Sequence, residues 1–250
     1  MGSSSKMAVE RRVFEEVAVG GFAHVDPEVG YFSIVSSLVR PHHRLLDFGA
    51  GRGEFYFDDP SEYRRWIQNF RGRCAHVDGC DVDPVVLENP TLDSAAVIEP
   101  GKPLPYEDGS FDIVISRYVF EHVTDPDWTA RELLRIVKPG GWVCALTVNK
   151  WGYIALGARL IPNSLHAKAL RRIQPHREAI DVFPTVYRLN TARAVRHHFA
   201  GAEVYHYMIA GVPSYHFGNA AILRALLILQ RLMPAMLYPG LGLFIRKGNQ

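Results

Sequence analysis

Apolar positions along this chain follow two rhythms. Short runs such as Arg44 to Phe48 (RLLDF) and Asp112 to Ser116 (DIVIS) have the length and branched-residue content of strands, and the second reads as a strand buried on both faces. Strands are expected at Arg44 to Phe48, Ala75 to Cys80, Ala95 to Glu99, Asp112 to Ser116 and Trp142 to Val148. Between them lie stretches of helical spacing. Asp26 as N-cap and Pro27 at the first helical position open a helix through Tyr31, Phe32, Val35 and Leu38, which stops at Arg40-Pro41. Further helices are expected near Ser61 to Phe70, briefly from Pro84, and from Thr124, whose partner three residues on is Asp127, to the terminating Lys138-Pro139-Gly140-Gly141. Alternation of strand and helix predicts an α/β fold with a parallel sheet covered on both faces.

Past Asn149 the rhythm changes. A helical, basic stretch from Trp151 to Arg177 precedes a helix over Thr191 to Phe199, a strand over Ala202 to Met208, an oily helix over Ala220 to Met233 and a last strand over Gly242 to Lys247. The late strands are expected to rejoin the same sheet. The chain therefore divides into an N-terminal helical cover over 1–40, a core over 41–150 and a C-terminal part over 151–250 that combines helical insertions with the last two strands.

Composition excludes some classes. At 250 residues, 48% hydrophobic and 22% charged, the chain is neither disordered nor fibrous. Its 28 Lys+Arg and 26 Asp+Glu give a net charge of only +2, but the charges are unevenly placed. Residues 1–150 carry 16 basic and 23 acidic side chains, and residues 151–250 carry 12 basic and 3 acidic. The two parts are expected to meet different partners. Cys74, Cys80 and Cys144 are odd in number and lack metal-ligand spacing, so they read as buried thiols in a reducing cytoplasm. The opening MGSSSK resembles a tag remnant rather than a secretory leader, and Lys6 rules it out as a myristoylation site. The apolar stretch Leu232 to Ile245 is broken by Pro234, Pro239 and Gly240, which makes it too short to span a bilayer.

The most informative segment is Asp47-Phe48-Gly49-Ala50-Gly51-Arg52-Gly53. A strand ends there in glycines that permit positive φ and close backbone approach at a helix N-terminus. A nicotinamide dinucleotide fingerprint needs its third glycine at position 54, where Glu54 would bring negative charge toward a pyrophosphate. Asp47 instead suits a ligand that carries an ammonium group.

This segment resembles the acid-x-Gly-x-Gly-x-Gly motif of class I S-adenosylmethionine-dependent methyltransferases. Four further segments agree in order: Gly79 to Pro84, Leu104 to Asp112, Ser116 to Val123 and Leu134 to Gly141. The resemblance covers Leu45 to Val148. It implies a Rossmann-like, doubly wound, mostly parallel sheet of seven strands with S-adenosyl-L-methionine as cofactor. It also implies a cofactor site of Asp47, Gly49, Ala50, Gly51 and Gly53, with Asp81 on the ribose, Val82 beside it and Arg117 on the methionine side. Two departures stand out. Asp47 and Asp81 are 34 positions apart, which points to an insertion within Phe55 to Arg71, and Glu99-Pro100-Gly101 occupies the place of the family's adenine-side Asp.

Methyl transfer is an in-line displacement that needs positioning and exclusion of water, with a base for a hydroxyl acceptor. Candidate bases are His122, His166, His176 and Tyr187, with Asp181 and His216 beside them; Glu121 and His122 also read as packing residues. His42-His43 and His197-His198 read as surface pairs, and no metal is expected. The expected acceptor is a small molecule, a glycan or a lipid-linked metabolite methylated at oxygen or nitrogen. Nucleic acid is not expected, because no aromatic platform accompanies the basic cluster from His166 to Arg177. The helix over 220–233 is expected to pack in a core or a homodimer, or else to lie in a membrane interface. The protein would then be cytoplasmic and peripheral to the inner membrane face. The rival readings are a non-catalytic membrane-associated binding protein and a NAD-binding oxidoreductase.

Overall fold

The computed structural model describes residues 3–160, 184–213 and 216–249. Helices α1 (Ser3–Arg11) and α2 (Val17–Gly20) lead to α3 (Pro27–Leu38), whose N-cap Asp26 accepts the amides of Glu28 and Val29 at 3.0 Å each. Then follow β1 (Arg44–Phe48), α4 (Glu54–Asp58), α5 (Glu62–Gln68), β2 (His76–Asp81), a 3-10 turn over Pro84–Glu88, β3 (Ser94–Val97) and β4 (Phe111–Arg117). The chain continues through α6 (Pro126–Ile136), β5 (Val137–Val148), α7 (Tyr153–Leu160), α8 (Ala192–His198), β6 (Glu203–Ile209), α9 (Ala220–Leu232) and β7 (Gly240–Arg246).

The strands form one seven-stranded sheet in the order β3-β2-β1-β4-β5-β7-β6. Strands β1 to β5 pair in parallel, while β7 runs antiparallel to both β5 and β6. The chain winds outward from β1 to β3 and then crosses back to β4. That reversal opens a crevice beyond the carboxyl ends of β1 and β4, the place where open α/β sheets bind ligands.

Alternation along the central strands fills two cores, one on each face. Leu46, Val114, Val143, Ala145, Leu243 and Ile245 pack with Phe120, Leu133, Ile136, Val195 and Phe199 beneath α6 and α8. Leu45, Ile113, Ile115, Cys144, Leu146 and Phe244 pack on the other face with Tyr31, Phe32 and Val35 of α3 and Ile67 of α5. Burial on both faces explains why DIVIS is almost wholly apolar.

The structure corrects two expectations and sharpens a third. The N-cap of α6 is Asp125, which accepts the amide of Trp128 at 2.9 Å, because Pro126 occupies the first helical position and leaves the cap to the residue before it. Helix α6 ends at Ile136, and β5 starts at Val137 instead of Trp142. Gly140 at φ 75° absorbs the extra residues in a bulge, where the register moves from Phe111 opposite Val137 to Ile113 opposite Trp142. Core packing of α9 is confined to a narrow stripe. Leu223 joins a small cluster with Val9, Phe14, Val17 and Ala23, and Gln230 is also buried, but Ile228, Leu229 and Leu232 are 61%, 54% and 80% exposed. No described helix is long and apolar enough to cross a membrane.

Candidate functional site

Strand β1 delivers Asp47 to the crevice and then turns through three glycines. Gly49, Gly51 and Gly53 have φ of 78°, 50° and 71°, in the left-handed region that side chains other than glycine enter only with strain. Added bulk would also collide at two of them. A Cβ on Gly49 would lie 2.2 Å from Val119 Cγ2, and one on Gly53 would lie 2.5 Å from Asn89 Oδ1. At Gly51 the nearest atom is Asp81 Oδ2 at 4.0 Å, so this backbone faces open space.

The turn is fastened to β2. The amides of Gly49 and Ala50 donate to the Cys80 carbonyl at 2.8 and 3.1 Å. Gly51 N–H donates to Asp81 Oδ2 at 2.9 Å, and Asp83 N–H donates to Asp81 Oδ1 at 3.0 Å. Asn89 closes the turn from below, its Nδ2 donating to the carbonyls of Ala50 and Gly51 at 3.1 Å each. Its Oδ1 accepts from Thr91 N–H and Oγ1–H. Sequence reasoning missed Asn89, although its position just past the Pro84 turn placed it beneath the glycines. Val82 follows Asp81 and is 42% exposed, and Glu99 pairs at the surface with Lys102.

Charge at the end of β1 is poorly solvated. Burial pushes the Asp47 carboxyl up to about 7, with Arg117 opposing the rise and Asp81 adding to it. Among the described residues no side chain or amide donates a hydrogen bond to the Asp47 carboxyl. Arg117, at the end of β4, donates to Glu28 Oε1 at 3.1 Å and Glu54 Oε1 at 3.2 Å. Its guanidinium lies 5.6 Å from the Phe55 ring centroid and 5.9 Å from that of Tyr118. Burial works against the Arg117 charge, but Glu28 and Glu54 outweigh it and raise its pKa. A cavity of about 20 Å³ lies here among Asp47, Phe55, Gln68, Ser116 and Arg117. Gln68 and Ser116 were also missed. Ser116 carried a signal as the lone hydroxyl closing an apolar strand, whereas Gln68 depends on which side of α5 meets the sheet.

The expected bases fall in different places. His166, His176 and Asp181 lie outside the described residues. His122 contacts the Pro184 carbonyl through Nδ1 at 3.0 Å. Glu121 is buried, accepts from Thr147 Oγ1–H at 2.7 Å and receives the amides of Val186 and Tyr187 at its carbonyl, which makes it an anchor for that segment. Tyr187, at φ 52°, lines a wide groove with Lys150, Arg188, His198 and the start of α6. His216 is buried beside the start of α9, and its Nδ1 accepts the Gly218 amide.

Residues 46–145 match the model of a methyltransferase domain. These residues form a domain of the class I S-adenosylmethionine-dependent methyltransferases. S-adenosyl-L-methionine is the cofactor of that family, and the sheet order places this domain's glycine turn at the switch point. The ubiquinone/menaquinone biosynthesis C-methyltransferase of Vibrio parahaemolyticus is 27% identical over 128 residues, 48% of this chain and 46% of that protein. The chain thus matches about half the length of such relatives. The corresponding enzyme of Ectopseudomonas mendocina is 26% identical over 212 residues, covering 75% of this chain and 76% of its own. Two solved structures share the fold of the methyltransferase domain at low identity. A Methanosarcina mazei S-adenosylmethionine-dependent methyltransferase superposes with TM-score 0.53 at 14% identity, over 87% of this chain and 98% of its own. Geranyl diphosphate C-methyltransferase from Streptomyces coelicolor, solved with S-adenosylhomocysteine, superposes with TM-score 0.51 at 14% identity, over 89% and 78%.

Proposed function

We propose that the protein transfers a methyl group from S-adenosylmethionine to a small apolar acceptor, such as a prenylated or quinone-like ring, at carbon rather than at the oxygen or nitrogen expected from sequence. The observation that carries the reading is the glycine turn at the switch point, with open backbone at Gly51 between the carboxylates of Asp47 and Asp81. The residues present fit the cofactor. Asp47 is a half-buried, poorly solvated acid that an ammonium group would relieve, Gly51 admits close approach, and each Asp81 oxygen keeps a lone pair for a ribose hydroxyl after accepting one amide. In this reading Gly49, Ala50 and Gly53 shape the backbone cradle, Val82 covers the adenosine side and Arg117 borders the methionine side.

The cofactor, when bound, supplies a methyl on a positively charged sulfur, ready for in-line attack. The chain supplies position and shelter. Phe55 and Tyr118 flank Arg117 and keep water from the reacting end. Glu121 holds Val186 and Tyr187, so Tyr187 lines the groove on the acceptor side, where its hydroxyl can relay a proton, accepting the acceptor's as its own passes to water; His122 is held nearby at the Pro184 carbonyl. The same proposal assigns 41–150 to the cofactor and 151–250 to the acceptor.

Two observations favour an apolar acceptor. The relatives include quinone-biosynthesis C-methyltransferases, and a protein of the same fold is a geranyl diphosphate C-methyltransferase. The face of α9 that carries Ile222, Ile228, Leu229 and Leu232 is exposed beside Arg224 and Arg231, which suits a helix resting in an anionic lipid surface from which such an acceptor is drawn. The test is incubation with methyl-labelled S-adenosylmethionine and fractionated cell extract. Label is expected in the organic-solvent fraction. Label in glycan or RNA instead, or no turnover with any fraction, contradicts the reading.

A further inference from the structure

We infer that Gln68 and Ser116 complete, with Asp47, a three-acceptor cage for a primary ammonium, so that this site selects ligands by their free amino group. The inference rests on the cofactor reading above and deepens it. Gln68 is 4% exposed and Ser116 1% exposed, and both line the 20 Å³ cavity with Asp47. That volume holds about one small polar group, since a water needs at least about 10–15 Å³ by this measure. Gln68 Oε1 and Ser116 Oγ are buried and make no hydrogen bond within the protein. An orphaned buried acceptor costs about 1–3 kcal/mol, so two beside one small cavity call for a ligand.

The orientation of the Gln68 amide is settled by its neighbours. Its Nε2 donates to Glu28 Oε2 at 3.3 Å and to the Arg64 carbonyl at 3.2 Å, both pure acceptors, so Oε1 is the atom left without a partner. An ammonium has three N–H donors and no acceptor. Asp47, Gln68 Oε1 and Ser116 Oγ offer one acceptor to each. A carboxylate is excluded, because Asp47 would repel it, the Gln68 donors are spent and Arg117 is held by Glu28 and Glu54. The helix α5 that carries Gln68 belongs to the extra stretch between Asp47 and Asp81, which gives that insertion a recognition role.

The discriminating experiment compares S-adenosylhomocysteine with 5′-methylthioadenosine, which lacks the amino-acid portion, by calorimetry on the full chain. Ser116→Ala is the cleanest variant, because Ser116 Oγ bonds nothing in the free protein; Gln68→Met keeps the volume of the side chain. Each is expected to weaken S-adenosylhomocysteine binding about tenfold or more, as loss of one charge-assisted hydrogen bond implies, while 5′-methylthioadenosine affinity holds; thermal stability holds in Ser116→Ala and falls in Gln68→Met, which also loses the bonds to Glu28 and the Arg64 carbonyl. Equal weakening of both ligands, or no change in either, overturns the cage. If the unaltered protein binds neither adenosyl ligand, the cofactor reading itself fails, a result separate from any behaviour of the variants.

Discussion

Replacing Asp47 by asparagine should make the free protein more stable while it damages the site. The carboxyl of Asp47 is pushed up to about 7 from its ordinary 3.8 because desolvation at this half-buried position disfavours its charge, with Arg117 too little compensation and Asp81 a repulsive neighbour. Each pH unit of that displacement is worth about 1.36 kcal/mol, so the ionised carboxylate costs the folded state up to about 4 kcal/mol above pH 7. The sign follows from proton linkage. Between about pH 4 and 7 the folded protein holds a proton that the unfolded chain has released, so stability falls as pH rises through this window and the loss is complete above it. The Asp47→Asn side chain carries no charge and escapes the penalty. Thermal melts of both proteins should coincide near pH 4 and separate progressively, the variant melting roughly 5–15 °C higher at pH 8. Equal melting at pH 8, or a variant that is less stable there, would refute the argument that Asp47 is a strained acid kept for a ligand.

The same carboxyl should register ligand entry. An ammonium beside Asp47 favours its ionised form, so S-adenosylhomocysteine binding at pH 6 should release up to about one proton, seen as a buffer-dependent heat in calorimetry, and close to none from this group at pH 8.5; buffer-independent heats at pH 6 would exclude it. Gly53→Ala combines strain at φ 71° with a Cβ 2.5 Å from Asn89 Oδ1, and should cost about 1–3 kcal/mol in denaturant unfolding, whereas Gly51→Ala meets no side-chain contact closer than 4.0 Å and should lose ligand binding far more than stability. Leu229→Asp, on the exposed face of α9, should abolish sedimentation with anionic phosphatidylglycerol vesicles without lowering the melting temperature; undiminished sedimentation would place membrane contact elsewhere.

Much of the fold was legible because buried strands leave a strong mark. RLLDF and DIVIS are continuous apolar runs, and the sheet places them side by side at its centre. Direction left no mark, however. The pattern of β7 fits either orientation, and only the pairing of Gly240–Arg246 with β5 and β6 shows that it runs antiparallel. Helix α9 stayed open for a related reason, since a largely apolar sequence states that a helix wants cover without stating whether the chain provides it; here Leu223 is the buried residue of α9 that joins a hydrophobic cluster. In the site, the residues that work through backbone conformation were readable from the glycine spacing. Asn89 and Gln68 were not, because their roles depend on which carbonyl or carboxylate a neighbouring element brings within reach, and spacing along one chain does not encode that.

The central claim is that the carboxylates beside the glycine turn hold S-adenosylmethionine, and calorimetric titration of the full chain and of Asp81→Ala with S-adenosylhomocysteine tests it most directly. One site per chain is expected in the unaltered protein, weakened in the variant by about 1.5–3 kcal/mol, or roughly 10- to 150-fold, as removal of charged hydrogen bonds to the ribose implies. Equal affinity in both proteins, or tighter binding of NAD than of S-adenosylhomocysteine by the unaltered chain, would contradict it.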